Sequence, residues 1–497
     1  MTIDDAERRL LSNVAPPDRK NPAPRAKYDL VVIGAGTGGL VTAAAAAGLG
    51  ARVALVEAHR MGGDCLNVGC VPSKGVIAAA RAWHAARGAV EYGGPAADGP
   101  GDFAAAMERM RALRADLSEV DGVPRFAGLG VDVFLGRGRF TALDTVEVGG
   151  AVLRFRRAVI ATGARAAVPG IPGLAESGFL TNETVFALTT LPERFIVVGA
   201  GAIGCELAQS FARFGSAVTV LDLAPRVLPR EDPDAGAVVA ESLVRDGVRL
   251  ELGVQITGVA RVPGGQFVSF TRDGKEMAVT GDALLVAAGR APNVDDLGLE
   301  AAGVTYNRMG VVVNDRLQTS NRSIFAVGDV CSRHQFTHSA DFQARLVIAN
   351  ALFFGRGKNS ALVIPRCTYT SPELAHVGLT ADEAAQQGIG LDTVTVPFHD
   401  VDRARLDGDT DGFLRIHLRK GTDRIVGATI VGAHAGDLIG EAAVAVTNRM
   451  RMGALGRTIH PYPTRAEAFR KAADVWRRGK LTPTVKRVLA LWFCFTG

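Results

Sequence analysis

Two cysteines stand five positions apart in the run Met61-Gly-Gly63-Asp64-Cys65-Leu-Asn67-Val-Gly69-Cys70-Val-Pro72-Ser73-Lys74. Thiols so placed can be inert core residues, half of a zinc site, or a disulfide that opens and closes. A zinc site needs two more ligands at suitable spacing, and none stands nearby. On a regular helix, residues i and i+5 do not share a face, so pairing Cys65 with Cys70 requires a distorted helix start. Glycines 62, 63 and 69 and Pro72 supply that freedom. The other four cysteines, Cys205, Cys331, Cys367 and Cys494, are scattered. Six cysteines in 497 residues make no disulfide scaffold. They fit a reducing compartment with one special pair.

The elements around this pair carry a second kind of chemistry. Tyr28-Asp-Leu-Val-Val-Ile33 reads as a strand, followed by Gly34-Ala-Gly36-Thr-Gly-Gly39, an Ala-rich helix, and a second strand ending at Glu57. The pattern recurs as Phe195-Ile-Val-Val198, then Gly199-Ala-Gly201-Ala-Ile-Gly204, a helix over about 204–214 and a strand ending at Asp222. In both copies the acid falls 23 positions after the first glycine. The first glycine of such a motif makes the tight turn, the second lets a pyrophosphate approach the backbone, and the third lets helix and strand pack closely. The helix N-terminus favours phosphate charge, and the acid bonds ribose hydroxyls. Two copies with matched spacing form an internal repeat and predict two dinucleotide-binding domains. Beside such a fold, the redox reading of Cys65 and Cys70 prevails.

The frame predicted around these residues is α/β: two Rossmann-like dinucleotide-binding domains plus a C-terminal α+β dimerisation domain. High glycine, 59 residues, and low aromatic content, 6%, agree with many tight strand-to-helix turns. Residues 1–27, rich in proline and charge, are expected to be a flexible arm. Segments 28–190 and 311–350 form the first dinucleotide domain, 191–310 the second and 355–475 the third region; 476–497 is a basic tail. A loop at 92–101 and a helix at 103–119 are expected within the first domain. The net charge of +5 is spread along the chain and does not point to nucleic acid. The acids and prolines near the N-terminus do not read as a signal peptide, and no run reads as a membrane span, so a cytoplasmic location is expected.

The run Gly62-Gly-Asp-Cys65-Leu-Asn-Val-Gly-Cys70-Val-Pro-Ser-Lys74 resembles the signature of the pyridine nucleotide–disulfide oxidoreductases. Further motifs similar to that family follow in order: Ala161-Thr162-Gly163, the second fingerprint with Glu206, Ala288-Gly289-Arg290-Ala-Pro292-Asn293, and the run from Thr319 to Asp329. The resemblance covers about residues 28–475. It implies that Gly34, Gly36, Gly39 and Glu57 hold the ADP half of FAD and that Asp329 holds its ribityl chain. Gly63, Thr162, Gly163 and Gly289 join the cofactor-binding set. It implies that Gly199, Gly201, Gly204 and Asp222 hold the nicotinamide cofactor. Cys70 would face the flavin and Cys65 would meet the acceptor. Lys74 and Glu206 would pair beside the flavin, and the third region would form a homodimer. Asp222 followed by uncharged Leu223 predicts NADH over NADPH, with Arg226 and Arg230 as the counter-argument.

One motif departs from the pattern. Thiol reductases of this family carry a catalytic His in a His-Pro segment, with a Glu five residues later. Here the run is Thr458-Ile-His460-Pro-Tyr462-Pro-Thr464-Arg-Ala-Glu467. Aligning Glu467 puts Tyr462 at the His position and His460 two residues earlier. A phenol with an ordinary pKa near 10 suits base work poorly at neutral pH. Mercuric reductases resemble the chain here, and soft metal ions suit thiolates. The expected acceptor is therefore a soft metal ion or a small disulfide, with a dihydrolipoyl dehydrogenase and a thiol-based metal-binding or redox-sensing flavoprotein as alternatives. No N-terminal CxxC is present, and the tail carries Cys494 where those relatives carry a vicinal pair. No resident metal is expected.

Overall fold

The computed structural model describes residues 3–95 and 97–496. The chain forms two compact units, one from residues up to Leu223 with Gly247–Leu362, the other from Ala224–Asp246 with Val363 onward.

In the first unit, strands Asp132–Leu135, Val53–Glu57, Tyr28–Ile33 and Ala151–Ile160 lie side by side, all parallel. Ile324–Ala326 also pairs in parallel with Ala151–Ile160. Nearly every residue of Tyr28–Ile33 is buried, as expected for a parallel strand covered on both faces. A second parallel sheet runs Arg249–Leu252, Ala217–Asp222, Arg194–Val198, Ala283–Val286. Both fingerprint folds belong to this one unit. Helix Cys70–Gly88 packs on helix Ala202–Phe214, and Ala164–Ala166 pairs with Arg290–Pro292.

The second unit is built on a five-stranded antiparallel sheet in the order Arg366–Thr368, Glu373–Gly378, Ile425–Gly432, Phe413–Arg419, Leu391–Pro397. Helix Ala435–Thr447 packs on it, and Phe398, Phe469, Ile430 and Leu418 lie in its core.

Two expectations are corrected. The first concerns residues 3–14, predicted as part of a flexible arm. They form a helix, and Ala6, Leu10 and Val14, four apart, are buried in the core beside Ala115 and Phe126. Residues 15–27 are anchored as well: Arg25 pairs with Asp132 at 2.7 Å, and the Asn21 amide donates to the Leu135 carbonyl. The second concerns 224–246, assigned to the second dinucleotide domain but packed in the C-terminal unit. There helix Pro233–Arg245 and the residues just before it meet the antiparallel sheet through polar bonds, of which the Thr429–Asp232 bond is buried. Thr429 Oγ1 donates to Asp232 at 3.0 Å, Arg366 pairs with Glu231 at 2.7 Å, and Arg415 pairs with Asp234.

Candidate active site

The cysteine pair is built by a broken helix. Gly62 (φ +89°) and Gly63 (φ +55°) start a short helix, Gly63–Asn67, that carries Cys65. Left-handed backbone is cheap only for glycine. The Asn67 amide donates to the carbonyls of Met61 and Gly63 and closes that turn. The chain then breaks at Val68-Gly69, where a Cβ on Gly69 would lie 2.7 Å from the Asp64 carbonyl oxygen. The helix restarts at Cys70. Two successive helix starts, rather than one bent helix, bring the sulfurs together.

Cys65 and Cys70 stand as free thiols, each setting the acidity of the other. The bond from Cys65 holds the Cys70 thiol down at about 6, against the burial that raises it, with help from Thr337 and the Lys74 charge. Cys65 is pushed up by its bond to Cys70 and by burial. The pair is therefore a thiolate, Cys70, and its proton donor, Cys65. Cys70 Sγ lies 3.3 Å from Thr337 Oγ1. One turn along the helix, Lys74 Nζ donates to Glu206 Oε2 at 2.9 Å, and Glu206 is 4% exposed.

The two fingerprints repeat bond for bond. The Gly34 amide donates to Val56 O at 2.8 Å and the Gly199 amide to Leu221 O at 2.9 Å. A Cβ on Gly39 would stand 1.8 Å from Gly34 O, and one on Gly204 would stand 1.9 Å from Gly199 O. Glu57 accepts from the Ala35 amide at 2.7 Å, and Asp222 accepts from the Ala200 amide. Burial pushes the Glu57 carboxyl up, and its other oxygen accepts from the His59 amide at 2.8 Å. A Cβ on Gly34 would meet Ala161 O at 2.4 Å, and one on Gly199 would meet Ala287 O at 2.5 Å. The Ala161-Thr162-Gly163 and Ala287-Ala288-Gly289 segments are thus the same structural position in the two copies, an equivalence that their sequences conceal.

Gly63 and Gly36 touch through backbone alone, since a Cβ on Gly63 would lie 2.6 Å from Gly36 Cα. The short helix that carries Cys65 is thereby clamped to the first glycine-rich turn. Thr162 Oγ1 donates to Asn293 O at 2.7 Å, and the Asn293 amide returns a bond to Thr162 O at 2.9 Å. Asp329, expected at the ribityl chain, lies 3.2 Å from Arg290, which also pairs with Asp64 and donates to Ala164 O. These backbone-walled turns fit dinucleotide groups: Gly34, Gly36, Gly39, Gly63 and Asp329 are suited to FAD, and Gly199, Gly201, Gly204 and Asp222 to a nicotinamide cofactor. Sequence reasoning missed Thr337, the Asp64–Arg290 pair and the bonding of Thr162 to Asn293. Of these, Thr337 alone carried no signal: Asp64 stands in the cysteine run, Thr162 in Ala161-Thr162-Gly163, and Arg290 and Asn293 in the Ala288–Asn293 motif.

His460, Tyr462 and Glu467 belong to the other unit. The His460 side chain is 5% exposed, lies 2.9 Å from Glu441 and stacks on Phe469. Tyr462 is 71% exposed and donates to Asp402 at 3.2 Å, and that bond raises its pKa above the ordinary 10.0. Glu467 is buried, pairs with Arg470 at 2.6 Å and keeps one oxygen, Oε2, without a hydrogen-bond partner.

With these features in place, comparison defines the class. The pyridine nucleotide-disulphide oxidoreductase model matches residues 28–344 and the dimerisation domain of the same family matches 364–473, so the chain belongs to that family of flavin-dependent enzymes. It is 35% identical to a mercuric reductase of Streptomyces lividans, over 90% of this chain and 96% of that protein. It is 33% identical to a dihydrolipoyl dehydrogenase of Bacillus subtilis, over 90% and 97%. Among solved structures, the Cu(II) complex of the HOCl-induced flavoprotein disulfide reductase RclA from Escherichia coli aligns with a TM-score of 0.81 at 29% identity, over 91% of this chain and all of that one.

Proposed function

We propose that the protein oxidises NADH and passes two electrons through Cys65 and Cys70 to a soft metal ion. The observation that carries this reading is the proton chemistry of the 460–467 segment. Reducing an external disulfide to two thiols consumes two protons and calls for an acid/base group. Tyr462 is a phenol whose pKa is raised by Asp402, and the imidazole of His460 is covered and held by Glu441. A soft cation reduced at thiolates needs no such proton donor. The similarity to a mercuric reductase and to a protein solved with Cu(II) supports the same choice.

The chemistry that FAD supplies when bound is two-electron relay between the nicotinamide and the cysteines. The chain's own residues set the rest. Opening the Cys65–Cys70 disulfide takes two electrons and one proton and leaves the Cys70 thiolate beside the Cys65 thiol. Thr337 and Lys74 stabilise the thiolate. Glu206 holds Lys74, and Asp222 selects the unphosphorylated ribose of NADH. The working form is a cytoplasmic homodimer assembled through the C-terminal unit.

The test is NADH consumption by the flavin-loaded enzyme with Hg(II), Cu(II), oxidised glutathione and lipoamide as acceptors. The metal ions should turn over at least tenfold faster than the disulfides. Faster turnover of lipoamide would establish the thiol-reductase reading instead. Metal bound with no NADH consumed would establish a sensor.

A further inference from the structure

The C-terminal segment has features that electron transfer does not use. Helix Pro483–Thr496 contains no buried residue. Val488, Leu491, Trp492, Phe493 and Phe495 are 60–87% exposed, and Leu489 is 40% exposed. A helix apolar around most of its circumference and left without a buried residue is costly in water. Its charge is one-sided: from Val475 to Thr496 there are five cations, Arg477, Arg478, Lys480, Lys486 and Arg487, and no acid.

At the root of this helix lies a cavity of about 670 Å³ walled by Arg419, Arg424, Arg449, Arg451, Trp476 and Lys480. Its one acid, Asp423, is engaged with Arg451 at 3.2 Å. The Nε of Arg424 is buried without a hydrogen-bond partner, and the Lys480 ammonium lies 5.3 Å over the Trp476 ring. Five cations against one neutralised carboxylate await an anion, next to a helix that awaits an apolar phase.

We propose that this face docks the enzyme on the surface of an anionic lipid bilayer. The arginine-walled cavity takes headgroup phosphates, and the apolar residues of the 483–496 helix lie in the interface. Charge disfavours the same face of a second copy as the occupant, because it would bring five cations against five. Length excludes spanning: 14 residues of helix reach about 21 Å, short of a hydrocarbon core of about 30 Å. No helix among the described residues is long and apolar enough to cross a membrane.

The experiment uses the full-length flavin-loaded protein with sedimented vesicles of phosphatidylcholine, alone or mixed with phosphatidylglycerol. Binding to the mixed vesicles should be at least tenfold tighter and should weaken as salt is raised. Trp492 emission should shift to the blue with the mixed vesicles, and the shift should vanish in Trp492→Phe. Replacing Phe493 and Phe495 with Glu should abolish binding and leave NADH oxidation unchanged. Arg449→Glu with Arg451→Glu should remove the preference for anionic lipid. Equal binding to both vesicle types would overturn the proposal, as would binding unmoved by both sets of substitutions. So would growth of the oligomer with concentration that the Phe493/Phe495 variant abolishes, in the absence of any vesicle binding.

Discussion

The division of the cysteine pair into thiolate and proton donor has a measurable consequence. The bond from Cys65 is the largest cause holding Cys70 at about 6, against an ordinary 9.0. Cys65→Ala removes that donor and leaves Thr337 and Lys74 in place. At pH 7 a thiol with a pKa of 6 is about nine-tenths ionised, and one with a pKa of 9 about one-hundredth, a difference of about ninetyfold in thiolate. A less acidic thiol is also intrinsically more nucleophilic, which over three pH units gives back about twentyfold. Even a full return to 9 would therefore change the alkylation rate at pH 7 by only about fourfold, so a single-pH rate decides little and the profile against pH is what must be measured. In the reduced enzyme, modification of Cys70 by iodoacetamide, followed by peptide mapping, should titrate near pH 6 in the wild type. In Cys65→Ala the midpoint should rise to about 7 or higher. Lys74→Ala should raise it less, because the Lys74 charge is a smaller cause than the Cys65 bond. A midpoint that stays near 6 in Cys65→Ala would refute the assignment of the proton donor.

Three further outcomes are expected. Gly63→Ala forces a Cβ to 2.6 Å from Gly36 Cα at a φ of +55°, and should lower flavin retention by roughly tenfold or more, read as flavin per chain after gel filtration; full retention would show that the clamp is dispensable. The wild type should prefer NADH by roughly tenfold to a hundredfold in kcat/KM, and Asp222→Ala should erase most of that ratio; an unchanged ratio would assign selection elsewhere. His376 is fully buried, and that burial holds its pKa at about 3 against an ordinary 6.5. The unfolded chain then takes up the proton first, so stability is complete above pH 6.5 and is lost as pH falls toward 3. Between pH 7 and pH 5 the loss is about 2 kcal/mol. Urea unfolding of wild type and His376→Gln across that range checks it, and equal slopes would place the dependence on other groups.

What could be read in advance was whatever rests on backbone. The fingerprint glycines are legible because only glycine tolerates the positive φ of Gly34 and Gly199 or the absent Cβ at Gly39 and Gly204. The helix break between Cys65 and Cys70 is legible for the same reason. Thr337 was not, because it reaches Cys70 from 267 positions away with no motif around it. Asp64 and Arg290, 226 positions apart, meet only once the chain is folded. The helix at 3–14 was hidden by the prolines and charges that follow it, although Ala6, Leu10 and Val14 already made an apolar stripe at helical spacing. Segment 224–246 was misplaced because strand and helix order along the chain says nothing of which sheet a helix covers.

That segment has a consequence for how the chain is made. Helix Pro233–Arg245 emerges from the ribosome well over a hundred residues before the sheet it covers is complete. The early strands must leave it undocked, and Asp232 must wait for Thr429 and His417. A fragment beginning at Val363 would carry every strand of its sheet and still lack this cover, leaving His376 and Thr429 without the carboxylate their network closes on. Co-expressing such a fragment with residues 1–362 should restore its solubility, because the missing piece of the second unit is encoded in the first half of the chain.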